Sequence, residues 1–154
     1  MILITGISGF VGSNLRSYLY KNKKKILGAS RNPALGEVNY SEINETLLNN
    51  TNYLIHLAGK AHDLKTTSED LVYYKVNTEL TKRLFDEFIE STCPVFIYMS
   101  SVKAAADSFE GILTEGFTPK PITAYGKSKF AAEEYILSKK RQKDKRVYIL
   151  RPCM

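Results

Sequence analysis

Tyr125 and Lys129 have the residue types and the spacing of an acid–base pair. Four residues apart on a helix, their side chains would share one face. A free phenol loses its proton only at about pH 10, but a neighbouring ammonium stabilises the phenolate and makes it a usable base. Ser101 ends an apolar run earlier in the chain, and its hydroxyl could bind the oxygen that the phenol protonates or deprotonates. We therefore expect Ser101, Tyr125 and Lys129 to be catalytic, although Tyr-x-x-x-Lys alone also arises by chance.

A glycine-rich stretch near the start of the chain carries a second chemical signal, with Gly6, Gly9 and Gly12 at three-residue steps. Glycine permits a tight turn and lets a pyrophosphate approach the backbone, and a later glycine lets a helix pack against a strand. The helix that follows offers unpaired N–H groups to phosphates. Between a strand and a helix, this stretch predicts dinucleotide binding, with Phe10 and Val11 in the same turn. The alternative is a tight connection without a ligand.

The elements that must hold these residues alternate between short apolar runs and helical patterns. Apolar runs predict strands at 2–4, 25–29, 53–58, 95–99 and 147–150, and a weaker strand and short helix within 37–50. Helical spacing of apolar residues predicts helices at 10–20, 68–90 and 123–140, whereas Gly and Pro mark 107–121 as a loop. Continuous apolar strands separated by helices imply a parallel sheet covered on both faces. The expected fold class is therefore α/β, a doubly wound, Rossmann-like sheet in one domain.

Two of the predicted helices have an apolar stripe that should face the core. In the first helix the apolar residues are Phe10, Val11, Leu15, Tyr18 and Leu19. In the long second helix the expected inner face consists of Leu71, Val76, Leu80, Leu84, Phe85 and Phe88.

The three-residue glycine steps, together with Ser101, Tyr125 and Lys129, resemble the extended short-chain dehydrogenase/reductase superfamily, and within it the NAD(P)-dependent nucleotide-sugar epimerase/dehydratase family. Thr114-Glu115, Pro121 and Arg151-Pro152 resemble further family motifs. The resemblance implies more cofactor-binding residues, namely Leu57, Ala58, Gly59, Asn77 and Ser100, beside Tyr125 and Lys129 themselves. His56 is expected to pack in its strand. His62 could face the sugar pocket, but we expect it to be a solvated loop histidine.

The end of the second strand bears on which cofactor the resemblance implies. An acidic residue there would bind the ribose 2′-hydroxyl of NAD, but this chain has Ser30 and Arg31. Arg31 could bind a 2′-phosphate through two hydrogen bonds or stack on adenine, or it could be a solvated loop residue. Since family members without the acid can use NAD, the expected cofactor is NAD or NADP, with NADP slightly favoured.

The residues after Ser101 narrow the reaction that the resemblance implies. Sugar 4,6-dehydratases of the family have Thr-Asp-Glu where this chain has Ser101-Val102-Lys103, which supplies neither carboxylate. What remains is hydride and proton transfer at the sugar C4, so an enzyme like the UDP-hexose 4-epimerases is the leading expectation. An NADPH-dependent 4-keto-sugar reductase is the alternative within the family, and a non-catalytic dinucleotide-binding module is the alternative outside it.

Composition excludes several other classes of protein. With 154 residues, 44% hydrophobic and 25% charged, the chain is neither disordered nor fibrous. It has no apolar run of about 20 residues and no signal-peptide pattern at its N-terminus. Cys93 and Cys153 form neither a disulfide framework nor a metal-binding motif, so we expect a reduced, cytoplasmic protein without a metal site.

The net charge of +6 points to helix ends more than to a polyanion. It arises from two basic runs, 21–25 and 139–146, that coincide with predicted helix C-termini, where positive charge is favourable. We therefore expect solvated helix ends and no nucleic-acid partner. The resemblance implies a nucleotide-sugar substrate, a UDP-hexose, and a homodimer through helices 68–90 and 123–140. It also implies that residues 1–154 are the cofactor half of an enzyme whose C-terminal substrate domain is absent here, so that this chain alone would be inactive.

Overall fold

A computed structural model describes residues 1–60, 70–140 and 144–153. Six strands form one sheet in the order β3-β2-β1-β4-β5-β6, and the paired strands run parallel. The strands are β1 (Ile2–Thr5), β2 (Ile26–Ser30), β3 (Glu37–Asn39), β4 (Tyr53–His56), β5 (Val95–Met99) and β6 (Arg146–Leu150). The predicted α/β class with a doubly wound, Rossmann-like parallel sheet is confirmed. The order reverses between β1 and β4, and ligands of such sheets bind outside the carboxyl ends of the strands at this point.

The helices that connect these strands are close to the predicted ones. The helices are α1 (Phe10–Lys21), α2 (Glu45–Leu48), α3 (Asp70–Tyr73), α4 (Leu80–Glu90) and α5 (Ala124–Ser138). A π-helical turn, Tyr74–Glu79, joins α3 to α4, and single 3₁₀ turns lie at Tyr40–Glu42 and Val102–Ala104. The predicted start of the long helix, Ser68, lies outside the described residues. Among the described helices, none has the length and apolar character needed to cross a membrane.

The described residues group into two compact units. The first unit comprises Met1–Ala58, Arg83–Tyr98 and Lys140–Tyr148, and the second comprises Gly59–Lys82, Met99–Lys139 and Ile149–Met154. In the first unit, the rings of Phe85, Phe88 and Phe96 pack with centroids 5.1 to 5.6 Å apart and are fully buried. In the second unit, α5 packs against the π turn and against the 3₁₀ turn Val102–Ala104.

The structure corrects part of the predicted apolar stripes. Leu71 was expected to face the core but is 75% exposed, whereas Tyr73, two residues later, is buried. The π turn after Tyr73 contains more residues per turn than an α-helix, so a stripe extrapolated at α-helical spacing no longer matches the buried face. Leu84, Phe85 and Phe88, which follow the π turn, are fully buried as expected.

On α1 the buried stripe is narrower than the apolar pattern suggests. Phe10 is 83% exposed and Tyr18 is also exposed. Val11, Leu15 and Leu19, spaced four residues apart, are half-buried. This helix therefore packs through a single row of side chains.

The second basic run also differs from expectation at one residue. Lys145 is buried, and its ammonium donates hydrogen bonds to the carbonyl oxygens of Phe88, Ser91 and Cys93 at 2.7, 2.6 and 3.0 Å. The Nζ atom also lies 4.4 Å from the centroid of the Phe88 ring. Lys145 thus binds the carbonyl end of α4 inside the protein, instead of being solvated at the end of α5. Residues 141–143 of this run lie outside the described residues.

Candidate functional site

The glycine turn after β1 is tight enough to require glycine at two of its positions. Gly6 has φ of 72°, in the left-handed region, and a Cβ there would lie 2.7 Å from the backbone nitrogen of Ala58. At Gly12, a Cβ would lie 2.2 Å from the carbonyl oxygen of Gly6. The turn therefore packs backbone against backbone, and side chains at these positions would push α1 and the turn apart.

The N-terminus of α1 is open to a ligand that carries negative charge. Gly9 is its N-cap residue and supplies no side-chain hydrogen bond, and the first turn contains no acidic residue. Phe10 is exposed and Val11 half-buried on this turn. Backbone N–H groups without a side-chain cap, at the positive end of a helix, fit a pyrophosphate. The glycine turn and the N-terminus of α1, both in the first unit, therefore fit the dinucleotide that the sequence predicts.

A buried contact between Thr5 and His56 fixes the loop opposite this turn. Thr5 Oγ1 lies 2.7 Å from His56 Nδ1 and accepts a hydrogen bond of 3.2 Å from the backbone N–H of Ala58. The Leu57 N–H donates to the Thr5 carbonyl at 3.2 Å. His56 is fully buried and stacks on Tyr98, so it packs in its strand as expected and places Leu57 and Ala58 at the carboxyl end of β1.

Ser30 and Arg31 line a polar cavity of about 570 Å³ in the first unit, together with Ser8, Asn32 and Tyr40. Burial raises the pKa of the Tyr40 phenol, partly offset by a hydrogen bond from the Gly6 backbone and by the Arg31 charge. The sequence analysis missed Tyr40 because it belongs to a short 3₁₀ turn with no motif. Its nearness to both Gly6 and Arg31 joins the glycine turn and the end of β2 into one site.

The carboxylate nearest to Ser30 belongs to Glu37, on β3. Glu37 Oε2 lies 3.4 Å from Ser30 Oγ and accepts a hydrogen bond of 3.2 Å from the Ala34 N–H. Its other oxygen forms an ion pair of 3.3 Å with Arg16. Glu37 is therefore paired with Arg16, and Arg31 is the charged side chain among the residues that line this cavity.

In the second unit, Ser101 and Tyr125 lie on two turns whose backbones are in direct contact. Ser101 is the N-cap of the turn Val102–Ala104, and its Oγ accepts a hydrogen bond of 3.2 Å from the Lys103 N–H. A Cβ at Gly126 would lie 2.4 Å from the Lys103 carbonyl oxygen, so only glycine permits this approach. Ser101 and Tyr125 are both buried. The ring of Tyr73 packs edge-on against the ring of Tyr125, with their centroids 6.2 Å apart.

Lys129 is one turn beyond Tyr125 on α5 and is almost completely buried. Its Nζ donates a hydrogen bond of 2.9 Å to the carbonyl oxygen of Met99. Burial lowers the pKa of the Lys129 ammonium from 10.5 to about 8, although the negative charge of Glu133 opposes this shift. An ammonium that titrates near neutrality, beside a phenol on the same helix, is a suitable group to stabilise a phenolate.

Asn77, on the π turn, links the loop that begins at Gly59 to α5. Its Oδ1 accepts the Lys60 N–H at 2.8 Å, and its Nδ2 donates to Ser128 Oγ at 3.0 Å. A Cβ at Gly59 would lie 3.0 Å from both Asn77 Oδ1 and Lys129 Nζ. Gly59, Asn77 and Lys129 therefore lie close together, whereas His62 lies outside the described residues.

Asp107 anchors the N-terminus of α5, a role that the sequence analysis missed. Its carboxylate accepts hydrogen bonds from the Ile122 N–H at 2.6 Å and from the Thr123 hydroxyl at 2.6 Å. Burial raises the pKa of Asp107, but these hydrogen bonds outweigh it and lower the pKa below its ordinary value. Thr123 in turn caps α5 by accepting the Gly126 N–H. No local pattern connects Asp107 with Thr123, because a 15-residue loop separates them.

Glu133 is a second residue that the sequence analysis missed. Its buried carboxylate accepts a short hydrogen bond from the Ser100 hydroxyl and binds the Arg151 guanidinium through Nε and Nη2. Those hydrogen bonds raise the pKa of Arg151. The four-residue spacing from Lys129 was the available sequence signal, since it places both side chains on one helix face.

A largely apolar cavity of about 800 Å³ lies in the second unit beside this ion pair. Thr114 and Glu115 line it together with Val102, Arg151 and Pro152. Its volume is in the range of small-molecule sites. The motif residues Thr114-Glu115 and Arg151-Pro152 thus line the same cavity.

Comparison with known proteins covers almost the whole chain. The model of the NAD dependent epimerase/dehydratase family matches residues 2–154. A UDP-glucose 4-epimerase of Vibrio cholerae is 33% identical, over 99% of this chain and 51% of its own length. A GDP-6-deoxy-D-talose 4-dehydrogenase of Aggregatibacter actinomycetemcomitans is 28% identical, over 88% of this chain and 47% of its own. The chain spans about half the length of the curated relatives it matches.

Solved structures share the fold. The UDP-glucuronic acid 4-epimerase of Bacillus cereus, determined in complex with NAD, aligns with a TM-score of 0.79 at 22% identity. The alignment covers 97% of this chain and 55% of that one.

Proposed function

Since the chain belongs to the NAD dependent epimerase/dehydratase family, we propose that it is the dinucleotide-binding half of a nucleotide-sugar 4-epimerase. One observation carries the proposal: the second unit gathers a buried tyrosine, a buried lysine and a buried serine, with Val102 and Lys103 where dehydration would need carboxylates. A buried site with a phenol, a hydroxyl and one cation supports proton transfer at a carbinol oxygen.

Each of the three side chains has a distinct part in the proposed reaction. Tyr125 Oη takes the proton from the sugar 4-hydroxyl and later returns it. Ser101 Oγ binds the same sugar oxygen and orients it toward the phenol. The Lys129 ammonium stabilises the phenolate. When bound, the dinucleotide would accept the C4 hydride and return it to the opposite face of the sugar.

The geometry of the first unit indicates which of its residues would hold the dinucleotide. The N–H groups of the first turn of α1, from Phe10 to Gly12, would bind the pyrophosphate beside the tight turn that Gly6 and Gly9 form, and Ser30 and Arg31 would face the adenosine ribose. Leu57, Ala58, Gly59, Asn77 and Ser100 would complete the site with Tyr125 and Lys129. Arg31 supports NADP, whereas the solved relative from Bacillus cereus holds NAD. The dissociation constants of NAD and NADP, measured for the unaltered protein and for Arg31→Ala, decide between the two cofactors. If Arg31→Ala weakens the binding of NADP but not of NAD, Arg31 contacts the 2′-phosphate.

The mechanism is tested in the full-length protein with Tyr125→Phe and, as a matched control, Tyr148→Phe. Tyr148 is a half-exposed tyrosine of β6 that the proposal does not use. We expect Tyr125→Phe to lower the epimerisation rate by about 10² to 10⁴, the range for a lost acid–base group, with dinucleotide affinity retained. Tyr148→Phe should leave the rate unchanged. Full-length protein that binds neither NAD nor NADP would refute the proposal.

A 4-keto-sugar reductase is the second candidate, favoured by Arg31 and by the similarity to a 4-dehydrogenase. The same three side chains would then deliver a proton to the keto oxygen, and NADPH would be consumed. Stoichiometric NADPH oxidation with a keto sugar supports the reductase. A dinucleotide that stays bound without net redox change supports the epimerase.

The proposal also covers domain organisation, partners and location. Residues 1–154 would be the dinucleotide-binding domain, and a separate domain would supply the contacts that select a UDP-hexose. A homodimer would form through the helices within 70–90 and 124–138, and no nucleic acid would bind. The two cysteines, free in the structure, suit a cytoplasmic protein.

A further inference from the structure

The polar cavity of about 570 Å³ in the first unit is lined by side chains that can all donate hydrogen bonds. They come from three separate parts of the chain, the glycine turn, the end of β2 and the 3₁₀ turn after β3, and they are Ser8, Ser30, Arg31, Asn32 and Tyr40. Arg31 is the charged residue among the five. Walls of this kind suit an anion that accepts several hydrogen bonds at once.

Tyr40 belongs to a turn that Arg83 of α4 holds at both ends. Nη2 of Arg83 donates a hydrogen bond of 2.6 Å to the carbonyl oxygen of Tyr40, and Nη1 donates one of 3.1 Å to the carbonyl oxygen of Ile43. Tyr40 begins the turn, and Ile43 is its C-cap. Because the donors of a guanidinium have fixed relative positions, these two bonds fix the backbone that carries the Tyr40 side chain.

Asn39, the N-cap of the same turn, connects the turn to Arg31. Its Oδ1 accepts the Ser41 N–H at 3.0 Å, which closes the turn. Its Nδ2 donates a hydrogen bond of 2.7 Å to the carbonyl oxygen of Arg31. Since Tyr40 follows Asn39 directly, one side chain ties together the backbones that bring Tyr40 and Arg31 to the cavity.

The chemistry of the walls indicates which part of a dinucleotide fits this cavity. A ribose 2′-hydroxyl is ordinarily bound by a carboxylate at the end of β2, but none of the five lining residues is acidic. The carboxylate of Glu37, beside Ser30, is bound by Arg16 at 3.3 Å and by the Ala34 N–H at 3.2 Å. Adenine has a flat π-face that calls for aromatic or apolar contacts, and the pyrophosphate fits the N-terminus of α1. A phosphate on the ribose is the group that matches these donors.

We propose that Tyr40 is a specificity-determining residue of the dinucleotide site, whose hydroxyl donates a hydrogen bond to the 2′-phosphate of NADP beside the Arg31 guanidinium. Asn39 and Arg83 are positioning residues that hold Tyr40 for this contact. The proposal rests on the proposed function, because it requires that the first unit binds a dinucleotide. Burial raises the pKa of the Tyr40 phenol, so at neutral pH the phenol keeps the proton that it donates.

The test compares NADP with NAD, because the two dinucleotides differ only in the 2′-phosphate. Calorimetric titration of the full-length protein gives both dissociation constants for Tyr40→Phe and, as a matched control, for Tyr20→Phe, which alters an exposed tyrosine of α1. We expect Tyr40→Phe to raise the dissociation constant of NADP by roughly 10- to 100-fold, the range for a hydrogen bond to a charged group, and to leave that of NAD unchanged. Tyr20→Phe should change neither.

Two smaller probes locate the contact on the ligand. Adenosine 2′-monophosphate and adenosine 5′-monophosphate carry one phosphate on different carbons of the same nucleoside. Tyr40→Phe should weaken the binding of the 2′-monophosphate and leave that of the 5′-monophosphate unchanged. Equal weakening of the two nucleotides, or of NAD and NADP, would indicate a structural role or a contact to adenine and overturns the proposal. Unchanged binding of NADP in Tyr40→Phe overturns it as well.

Arg83→Lys tests the positioning role, because lysine keeps the charge but is shorter and lacks the fork of donors that spans the two carbonyl oxygens. We expect it to lower the ratio of NADP to NAD affinity in the unaltered protein but not further in Tyr40→Phe, since Arg83 acts through Tyr40. Equal lowering in both backgrounds overturns the positioning role. If circular dichroism shows that Tyr40→Phe is unfolded, Arg83→Lys alone is the test, and an unchanged ratio overturns the proposal.

These measurements separate the failure of this proposal from the failure of the proposed function. A full-length protein that binds NAD but not NADP overturns the role of Tyr40 and leaves the dinucleotide-binding function in place. A protein that binds neither dinucleotide refutes both.

Discussion

At the scale of single residues, Lys129 is a destabilising group that the proposed reaction requires. Its ammonium is buried and donates a hydrogen bond to the carbonyl oxygen of Met99, and the negative charge of Glu133 favours its protonated form. Burial lowers its pKa to about 8, which means that the folded state holds this proton less tightly than the unfolded chain does. Substitutions that remove such a destabilising group from an active site commonly stabilise the protein and lower its activity.

This cost predicts how stability depends on pH. Below about pH 8 Lys129 is protonated in both states, and the whole penalty is present. As pH rises from about 8 to about 10.5 the folded state loses the proton first, so stability increases. We expect the unfolding free energy of the unaltered protein, relative to Lys129→Met, to rise by about 2 kcal/mol between about pH 7 and pH 10. Urea denaturation at each pH measures it, and a flat or falling difference would contradict it.

The residues of the candidate site that could be predicted from the sequence are those that form local motifs. Tyr125 with Lys129, and the three glycines of the first turn, have fixed spacings that stand out in one chain. Glu133 and Asp107 act through partners far away in sequence, Ser100, Arg151 and Thr123, which only the fold brings close. A carboxylate in a helix is ordinarily solvated, so its type alone gave no reason to select Glu133.

At the scale of elements, the strand pattern was predictable, whereas the face of the long helix was only partly so. Buried parallel strands are continuous apolar runs and were therefore found within a few residues. The π turn Tyr74–Glu79 has no comparable signature, and its wide turn changes which residues face inward. That turn carries Asn77, whose side chain forms hydrogen bonds to Lys60 and Ser128.

The glycine turn allows a matched test of this element. Gly6 and Gly36 both have positive φ, 72° and 83°, so alanine pays a similar conformational cost at each, about 1 kcal/mol. Only at Gly6 would the Cβ also meet a backbone, that of Ala58 at 2.7 Å, whereas nothing lies within 4 Å at Gly36. We expect Gly36→Ala to lower the unfolding free energy by about 1 kcal/mol and to keep dinucleotide binding. Gly6→Ala should lower the unfolding free energy clearly more and should bind no dinucleotide. Urea denaturation measures the stability of each variant, and calorimetric titration measures its dinucleotide binding. Equal losses in the two variants would contradict this account.

At the scale of the whole molecule, the proposed ligand should stabilise the folded chain. A dinucleotide that binds only the folded state raises the unfolding free energy by about 2.7 kcal/mol at 100 times its dissociation constant. For a chain of this length, that corresponds to a rise in Tm of about 5 to 10 °C. Thermal unfolding of this chain with NAD and with NADP measures the effect, with Gly6→Ala as the negative control. The absence of a shift with both dinucleotides would show that these 154 residues do not form the site alone.

The position of β6 at one end of the sheet has a consequence for handling the protein. In the strand order, β6 has β5 on one side and no described strand on the other, and its Tyr148 and Leu150 are half-exposed. Unpaired N–H and C=O groups along an apolar edge can be joined by a strand from another molecule. Concentrated solutions of this chain should therefore form aggregates that grow edge to edge. A lysine in place of Tyr148 would oppose this growth by placing a charge on the exposed edge.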